Sequence, residues 1–503
     1  MTLTTLTDVW QAGERQHPDK VAVMEGERTL TYGQLGDWVR RVAAGLVSQW
    51  GVQPGDIVAL LAPNCIEFVV GYFAIVQVGA TVQPLDERIT PEEMAAILKD
   101  ADTRFLIVHG ALWSKFRAAR ELGVMVEHLL GIDLACAGIV PFDTWGESSL
   151  ASTVALSPST VAELMYTSGT TGDPKGVQRT HANVLAAARN SLRGFGYRAD
   201  DVIAIAMPLS HSSALNSQMM PLLQVSGTLI LLPRFQVADV IEVIKSHHVT
   251  CMRAVPAMLR LLLANPSFTS KHLPSLRLLI NSSAPIDPDT YVVLKQRFPA
   301  IEVLNSYGLT EASTCTVLPD EMATIRPDSV GLPIDGVEMC VIDDCGDVVD
   351  TGCEGEICVR GDHVFLGYRQ RPEATAAVMH QDWLRTGDLG YCDQDGFYYL
   401  HGRQTEVINS GGQKFVPRDV ERCIEALPEV AEAAVAGMAH RLLGEVAKAF
   451  VVLKPEHHLD AKAVIRHCTQ NLASFKIPYK VEFVDTLPRN GVVTLPTKLR
   501  KAC

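Results

Sequence analysis

The chain lacks an excess of positive charge. Its 503 residues include 44 Lys and Arg against 57 Asp and Glu, so the formal net charge is −13. A surface with this negative net charge binds nucleic acid and anionic lipid poorly, because both are polyanions. We therefore expect no nucleic-acid partner, and any bound phosphate must be held by a local loop.

Long uninterrupted hydrophobic runs are also missing. The composition, 47% hydrophobic and 20% charged, is typical of a folded globular protein. Stretches 68–85 and 202–233 contain no charged residue, but glycine or serine, glutamine and proline interrupt both of them. Neither offers the roughly 20 continuous apolar residues that a membrane span needs. We therefore expect buried strands and helices there and no membrane span.

The sequence shows neither a secretory signal nor paired cysteines. Residues 1–15 are polar and contain no apolar core segment. The 12 cysteines form no CxxC pair, and their spacing fits no common zinc site. We therefore expect reduced thiols and a cytoplasmic protein. The oligomeric state is left open by the sequence.

Strand-like and helix-like runs alternate over about the first 300 residues. An apolar run at Ile57–Leu61, for example, precedes helical spacing over Glu67–Val78. This alternation predicts α/β layers with parallel strands. Beyond about residue 338 the strands become shorter, with a hairpin turn indicated at Asp395-Gly396. Helices over 417–427 and 460–473 and strands over 431–438 and 446–453 predict a small α+β domain at the end of the chain.

Segment 166–177 has the composition of a loop that holds a phosphate. Four hydroxyl side chains lie beside Gly169 and Gly172, and Lys175 follows. Glycines allow the backbone N–H groups to approach an oxyanion, hydroxyls add donors, and lysine adds a positive charge. The nucleotide loop of common NTPases is excluded because Pro174 stands where that loop needs glycine. A Thr/Gly-rich surface loop is the alternative interpretation.

This segment resembles the phosphate loop of the adenylate-forming superfamily, which includes acyl-CoA synthetases, peptide-synthetase adenylation domains and firefly luciferase. The resemblance extends from about Leu30 to the C-terminus, because further motifs follow in the family's order. These motifs are Pro208-Leu209-Ser210-His211, Ser282-Ser283-Ala284-Pro285, Tyr307-Gly308-Leu309-Thr310-Glu311, Gly355-Glu356-Ile357, Gly367-Tyr368, Thr386-Gly387-Asp388, Gly402-Arg403 and Gly411-Gly412. Such an ordered series argues against chance.

The resemblance implies an α/β fold with two domains. Residues 1–402 would form a large N-terminal acyl- and adenylate-binding domain, built from layered α/β subdomains and a small β-barrel-like part. Residues 403–503 would form a small, mobile α+β C-terminal domain, with Thr405 at the hinge position.

The resemblance also implies the roles of the matched residues. The Glu311 carboxylate suits Mg²⁺, a cation that prefers oxygen ligands, and Asp388 would accept both ribose hydroxyls. His211 would gate the passage between the acyl group and the CoA thiol. Other catalytic roles fall to Thr310 and Gly412, and Gly411 with Gly412 would line the CoA pantetheine tunnel. The implied phosphate- and AMP-binding residues are Thr167, Ser168, Gly169, Thr170, Thr171, Lys175, Ser283, Ala284, Pro285, Ser306, Tyr307, Gly308, Thr310, Asp388 and Arg403.

Simpler interpretations of three residues remain open. Glu311 could form a surface ion pair, and Asp388 could be a turn aspartate. His211 could be a packed histidine without a chemical role.

The chain departs from the family at several positions. The hinge position, usually Asp or Lys, is Thr405, and Ser282 and Ser283 replace the more usual glycines. The most consequential departure concerns the chemistry of the family. Its adenylation step usually needs a lysine near the C-terminus, in a pattern like Leu-Pro-Arg-Thr-x-Ser-Gly-Lys, which bridges the attacking carboxylate and the phosphate. Aligned on Leu487-Pro488-Arg489, this chain has Thr494 at the lysine position. Lys498 lies four residues later, up to about 13 Å along an extended chain. Losing one preorganised electrostatic donor typically costs about 10²–10³ in rate.

We therefore expect an acyl-CoA ligase-like enzyme that transfers an acyl group from an acyl-adenylate to CoA. Adenylation by ATP would be impaired or absent, and a separate adenylating enzyme would supply the adenylate. The departure resembles the non-adenylating ligases of platensimycin-type diterpenoid antibiotic biosynthesis. The substrates would be CoA and a small carboxylic acid's adenylate, or the acid with ATP and Mg²⁺. The acyl group cannot be read from the sequence.

Three alternatives stay open. The first is an ordinary two-step ATP-dependent acyl-CoA synthetase in which Lys498 or another cation substitutes. In the second, the acyl group goes to a carrier-protein thiol. The third is a nucleotide-binding pseudoenzyme.

Overall fold

The computed structural model describes residues 3–145, 155–168, 174–282, 286, 288–403, 407–410, 413–440, 443–472, 474–487, 489–490 and 493–494. The chain divides into two compact units. The first comprises Met1–Glu338 and Val359–Leu384, and the second comprises Met339–Cys358 and Arg385–Cys503. The domain boundary between residues 402 and 403 stays a prediction.

The α-helices of the described residues are distributed over both units. They are α1 (Thr7–Gln16), α2 (Tyr32–Ser48), α3 (Ile66–Gln77), α4 (Pro91–Asp100), α5 (Trp113–Glu121), α6 (His181–Phe195), α7 (Ser212–Ala214), α8 (Met220–Gln224), α9 (Val237–Ser246), α10 (Pro256–Ala264), α11 (Pro288–Arg297), α12 (Pro372–Val378), α13 (Pro417–Glu425) and α14 (Ala461–Asn471).

The described strands are numbered in chain order. They are β1 (Val21–Glu25), β2 (Arg28–Thr31), β3 (Ile57–Leu61), β4 (Thr81–Pro84), β5 (Phe105–His109), β6 (His128–Ile132), β7 (Val140–Pro141), β8 (Val161–Ser168), β9 (Pro174–Thr180), β10 (Val202–Ile205), β11 (Thr228–Leu231), β12 (Cys251–Ala254), β13 (Leu278–Ser282), β14 (Glu302–Leu309), β15 (Ser313–Leu318), β16 (Ser329–Pro333), β17 (Glu338–Ile342), β18 (Gly355–Arg360), β19 (Gly367–Tyr368), β20 (Met379–His380), β21 (Trp383–Cys392), β22 (Tyr398–Arg403), β23 (Ile408–Ser410), β24 (Gln413–Phe415), β25 (Val430–His440), β26 (Gly444–Leu453), β27 (Lys480–Phe483), β28 (Arg489–Asn490) and β29 (Val493–Thr494).

The first unit contains a mostly parallel sheet in the order β16-β15-β14-β13-β12-β10-β11-β1-β2. The strands from β14 to β1 in this order run parallel, whereas β2, β15 and β16 run antiparallel to their neighbours. One face packs on α9, α10 and α11 through Val240, Leu259 and Leu294, which are fully buried. Because the strands are parallel, their carboxyl ends align along one edge of this sheet.

A second sheet in the same unit has the order β19-β9-β8-β4-β3-β5-β6-β7. Its strands from β8 to β7 are parallel, and β9 and β19 are antiparallel additions. The strand expected at Ile57–Leu61 is confirmed as β3, and the expected helix 67–78 is α3. Almost every residue of α3 is buried, which explains why its sequence is apolar around the whole circumference.

The second unit contains two further groups of strands. β17, β18, β21 and β22 are neighbours in this order, and the turn at Asp395-Gly396 joins β21 to antiparallel β22 as expected. These strands form an open sheet within the described residues, so the expected small β-barrel-like part is not closed. The order β24-β23-β26-β25, with β27 beside β26, forms a sheet that packs on α13 and α14, which confirms the small α+β fold.

The two uncharged stretches are buried elements of the first unit. Stretch 68–85 forms α3 and β4, and stretch 202–233 contains β10, α7, α8 and β11. Within the described part of the chain, no helix has both the length and the hydropathy to cross a membrane. The mixed α/β fold class is confirmed.

Asp201 ties together the amino ends of three strands in the first sheet. Its carboxylate accepts hydrogen bonds from Arg277 Nε at 2.9 Å, Thr250 Oγ1 at 2.8 Å and Arg198 N at 2.7 Å. Asp201 directly precedes β10, Thr250 precedes β12, and Arg277 precedes β13. Burial by itself would raise the pKa of Asp201, but these hydrogen bonds lower it below its usual range.

We expect Asp201→Ala to lower the free energy of unfolding at pH 7 by about 3 kcal/mol, because it leaves Arg277 partly buried without its partner. The depressed pKa means that the contribution is complete above about pH 4 and is lost as the pH falls further. Urea titrations between pH 3 and pH 7 should therefore show a difference in the free energy of unfolding between the wild type and Asp201→Ala. This difference should become smaller only near pH 3. Asp200→Ala, at the exposed neighbouring residue, is the matched control. Equal effects of both variants would contradict this assignment.

Candidate functional site

The segment identified as a phosphate loop connects two paired strands. β8 and β9 are antiparallel, with Thr167 opposite Lys175 and Ser168 opposite Pro174. β8 runs parallel to β4, so its last residue, Ser168, lies at the carboxyl edge of this sheet, where α/β sheets bind ligands. Residues 169–173 lie outside the described residues. Lys175, at the start of β9, is partly exposed.

Tyr368 brings two motifs of the sequence together. The Lys175 ammonium lies 5.2 Å from the centre of the Tyr368 ring, and the Tyr368 hydroxyl donates to Glu311 Oε1 at 2.8 Å. Tyr368 lies on β19, which pairs with β9. Burial and the Glu311 carboxylate raise the pKa of Tyr368, so its phenol stays protonated and donates this bond. Lys175, Tyr368 and Glu311 therefore form one cluster.

The residues around Glu311 fit a cation that arrives with a phosphate. The described residues contain no group of three His, Cys, Asp or Glu side chains that could hold a metal by themselves. The Tyr368 hydroxyl donates a hydrogen bond to one carboxylate oxygen of Glu311, which leaves the other oxygen for a cation. Mg²⁺ commonly takes one or two protein carboxylates and completes its shell with phosphate oxygens and water. Glu311 suits such a shared ion and not a resident metal site.

The turn between β14 and β15 has a backbone that demands glycine at one position. A Cβ on Gly308 would lie 1.9 Å from the carbonyl oxygen of Ser313, and Ser313 itself has a φ of +56°. Arg179 Nη1 donates to Ser313 Oγ at 2.6 Å and helps to hold this uncommon conformation. The turn presents Thr310 and Glu311 beside the β8–β9 hairpin.

His211 belongs to a charged cluster that the sequence interpretation missed. Its Nε2 lies 3.0 Å from Asp86 Oδ2, and Arg88 contacts both His211 Nε2 and Asp86, the latter through Nε and Nη2 at 3.0 and 2.9 Å. Burial would raise the pKa of Asp86, but hydrogen bonds from His211 and Arg88 hold it well below its usual range. Asp86 is thus ionised at neutral pH and orients the imidazole. Its position just after the carboxyl end of β4 was the available sequence signal.

Asn64 fixes the loop that carries His211. Its Nδ2 donates to Met207 O at 2.9 Å and Leu232 O at 3.0 Å, and Leu209 N donates to its Oδ1 at 2.8 Å. Asn64 follows β3 in the second sheet, whereas Met207 and Leu232 follow β10 and β11 in the first. One buried amide therefore joins the carboxyl edges of both sheets. No motif in the sequence pointed to it.

Ser212, directly after His211, contacts a buried polar network. Ser212 is 7% exposed, and its hydroxyl lies 2.9 Å from Ser313 Oγ and 3.4 Å from Arg179 Nη1. Arg179 is fully buried opposite Glu163, whose carboxylate accepts from Tyr72 OH at 2.6 Å. Burial lowers the pKa of Arg179 and raises that of Glu163, while each charge partly offsets the shift of the other. Ser212 thus packs against this network.

In the second unit, two predicted motifs hold each other in place. Gly387 N donates to Glu356 Oε1 at 3.0 Å, and Arg385 Nε donates to Glu356 Oε2 at 2.7 Å. Thr386 Oγ1 accepts from Asp388 N at 3.1 Å, which fixes the start of the aspartate motif. Asp388 is 5% exposed and lies opposite Arg403 in the β21–β22 pairing. The predicted ribose residue and the predicted hinge arginine are therefore cross-strand neighbours.

The remaining predicted residues are only partly covered by the structure. Those outside the described residues are Gly169, Thr170, Thr171, Ser283, Ala284, Pro285, Thr405, Gly411 and Gly412. Ser168, Arg403 and Thr494 are described through their strand backbones, and Thr494 on β29 pairs with Arg489 on β28. Ser306, Tyr307 and Gly308 lie at the carboxyl end of β14. The binding and catalytic roles of all these residues stay predictions.

Two family models match most of the chain. Residues 10–369 match the family of AMP-binding enzymes, and residues 419–492 match the AMP-binding enzyme C-terminal domain. The predicted boundary between residues 402 and 403 falls between the two matched ranges.

Named relatives and solved structures are similar over nearly the full length. The oxalate–CoA ligase of Arabidopsis thaliana is 31% identical over 98% of this chain and 97% of its own. The 2-succinylbenzoate–CoA ligase of Geobacillus kaustophilus is 35% identical over 95% and 94%. The crystal structure of ATP-bound MatB from Rhodopseudomonas palustris superposes with a TM-score of 0.88 at 30% identity, covering 99% of this chain and 98% of that one. The chain therefore belongs to the AMP-binding enzyme family and is an acyl-CoA ligase or synthetase.

Proposed function

We propose that this enzyme transfers the acyl group of an acyl-adenylate to the thiol of CoA, and that it adenylates free acids with ATP poorly or not at all. The observation that carries the proposal is Thr494, which stands where the family pattern has a lysine. The sequence motifs suited to a bound adenylate, in contrast, are retained.

The retained groups suit an acyl-adenylate as well as ATP. An adenylate carries one phosphate, for which the hairpin at Lys175 offers a cation and hydroxyl donors. Asp388 and Arg403 are register partners in the β21–β22 pairing, which is compatible with residues that would hold the ribose and phosphate. These features support binding of an AMP moiety. None of these features requires a triphosphate.

Thr494 weakens the first half of the family's chemistry selectively. When a carboxylate attacks the α-phosphate of ATP, two anions approach each other, and an ammonium between them lowers that repulsion. A threonine hydroxyl donates a hydrogen bond but carries no charge. In the second half the acyl group is already joined to the phosphate. The group that reacts is then an acyl carbonyl without a charge, and no carboxylate anion has to approach a phosphate. The second half therefore depends less on this position.

The second half needs a proton acceptor near the thiol. The thiol sulfur forms a bond to the acyl carbon, the acyl C–O bond to AMP breaks, and AMP leaves as an anion while the thiol proton is released. His211 is half-exposed, with its ring oriented by ionised Asp86. A positioned imidazole of this kind suits proton transfer at neutral pH. We therefore place His211 on the path of the thiol proton, with Asp86 as a positioning residue.

An ordinary two-step synthetase is the second candidate. The relatives' names are those of CoA ligases, and MatB from Rhodopseudomonas palustris was crystallised with ATP. Lys498 is the nearest downstream lysine that could supply the missing charge. In that case a separate adenylating enzyme would be unnecessary. The context of platensimycin-type biosynthesis is likewise a proposal that rests on the substitution at Thr494.

We expect the wild-type enzyme to form acyl-CoA from synthetic acyl-AMP and CoA at least about 100-fold faster than it releases pyrophosphate from ATP and the free acid. The assay uses a panel of aliphatic and aromatic acids and their adenylates, with Mg²⁺ present in both arms. Thr494→Lys tests the charge, and Thr494→Ser, which keeps the hydroxyl, is its matched control. Brisk pyrophosphate release by the wild type would establish the two-step synthetase instead.

Asp86→Asn should lower kcat for acyl transfer from adenylate to CoA about tenfold, because the amide no longer fixes the His211 ring by charge. KM for the adenylate should change little. His211→Ala should slow the step at least as much, and the double variant should lose little more than His211→Ala alone. Asp133→Asn breaks a second His–Asp pair, to His109 at 3.5 Å, and serves as the control. Additive losses in the double variant would contradict the pairing of roles.

A further inference from the structure

Arg253 is a buried cation at the carboxyl edge of the first sheet. It lies on β12 between Met252 and Ala254, which face the core formed with α9, α10 and α11. Side chains alternate along a strand, so Arg253 points to the opposite face. There its guanidinium lies 5.3 Å from the centre of the Phe195 ring, and the residue is 5% exposed.

Its hydrogen bonds leave donors unused. Nε donates to Ser282 Oγ at 3.1 Å, and Nη2 donates to Ser306 Oγ at 3.0 Å. The Ser306 hydroxyl in turn donates to Asn281 O at 3.2 Å, so it can only accept from the arginine. A guanidinium has five N–H donors. Nη1 is buried without a partner in the described part of the protein, so both of its N–H groups are available.

Its charge is also uncompensated. Tyr197 is the one ionisable neighbour that acts on Arg253 among the described residues, and no carboxylate does. Burial lowers the pKa of Arg253 to about 10, with a small opposing effect of Tyr197. A buried guanidinium without a counter-ion is costly, and a nonpolar side chain of similar size would fill the same space at a lower cost. Packing therefore gives no reason for an arginine here.

The location connects this cation to the proposed adenylate site. Ser282 ends β13 and directly precedes Ser283-Ala284-Pro285, and Ser306 directly precedes Tyr307-Gly308. Ser282 and Ser306 are register partners on neighbouring parallel strands. Ligands of open α/β sheets bind at the carboxyl ends of the strands. A ligand bound over the carboxyl ends of β13 and β14 would therefore lie close to Arg253.

We propose that Arg253 determines acyl specificity by donating hydrogen bonds to a planar oxygen group, a carbonyl or a carboxylate, that the substrate carries at a distance from its activated carboxyl group. This inference rests on the proposed acyl-transfer function. It defines the substrate class as oxo-acids or dicarboxylic acids, in preference to plain hydrocarbon acids. The paired N–H groups of a guanidinium match the in-plane lone pairs of such an oxygen group.

Two of the relatives are named for acids that belong to this class. Oxalate and 2-succinylbenzoate each carry a second carboxylate besides the one that is joined to CoA. The acids therefore show that a second oxygen group on the acyl part is compatible with this fold.

The test compares acyl transfer to CoA from three series of synthetic adenylates of graded chain length. One series has a terminal methyl ketone, the second a terminal carboxylate, and the third only hydrocarbon of equal length. The wild type should prefer an oxo or carboxylate member over its hydrocarbon counterpart by about 10–100-fold in kcat/KM. The chain length of greatest preference reports how far the oxygen lies from the reacting carbonyl.

Arg253→Met keeps the size and removes the donors, so it should abolish that preference and lower kcat/KM for the oxo and carboxylate series to the level of the hydrocarbon series. Arg253→Lys should retain part of the preference, more for carboxylates than for ketones. Thermal unfolding of each variant checks the fold, and the ratio between series is insensitive to a general loss of active enzyme. Equal kcat/KM values for all series in the wild type, or an unchanged ratio in Arg253→Met, would overturn the proposal. No transfer from any series would instead refute the proposed acyl-transfer function.

Discussion

The arrangement of the candidate site depends on the connection between the carboxyl edges of two sheets of mostly parallel strands. Asn64, which is 2% exposed, makes this connection by satisfying backbone groups that follow β10 and β11. Strand ends leave carbonyl and N–H groups without ladder partners, and such groups are expensive to bury unsatisfied. A single side-chain amide with both donor and acceptor character meets these needs. The loop carrying His211 is positioned as a consequence.

Electrostatics then divides this region into differently charged parts. Lys175, Tyr368 and Glu311 form a polar cluster at the hairpin, where a phosphate and a shared cation would lie. Asp86 supplies negative charge beneath His211, and Arg253 supplies buried positive charge at the end of β12. Each group has the sign required by its proposed task. Position 494 is a threonine where the family pattern has a lysine, and we therefore propose that the adenylation half is the half that is impaired.

Charged partners from distant segments were the hardest part of the site to predict. Asp86 lies 125 residues before His211 and is part of no motif used to recognise the family. Arg253 reads in the sequence as an interruption of an apolar strand, without an indication of its serine partners. Glu356 was recognised as a motif residue, but its role in holding Gly387 became visible only from the hydrogen bonds. Such pairs form through strand order, which a linear pattern does not encode.

The sequence by itself determined the fold class, the positions of strands such as β3, the hairpin at Asp395-Gly396 and the family, because these follow from local periodicity, turn chemistry and contiguous motifs. It also revealed the threonine at position 494. The tertiary structure alone decided that the predicted barrel-like part is an open sheet, that Tyr368 joins Lys175 to Glu311, that Asp86 orients His211, and that Arg253 is buried without a counter-ion. These features depend on which strands are neighbours and on which face each side chain lies, and those relations arise only when the sheets assemble.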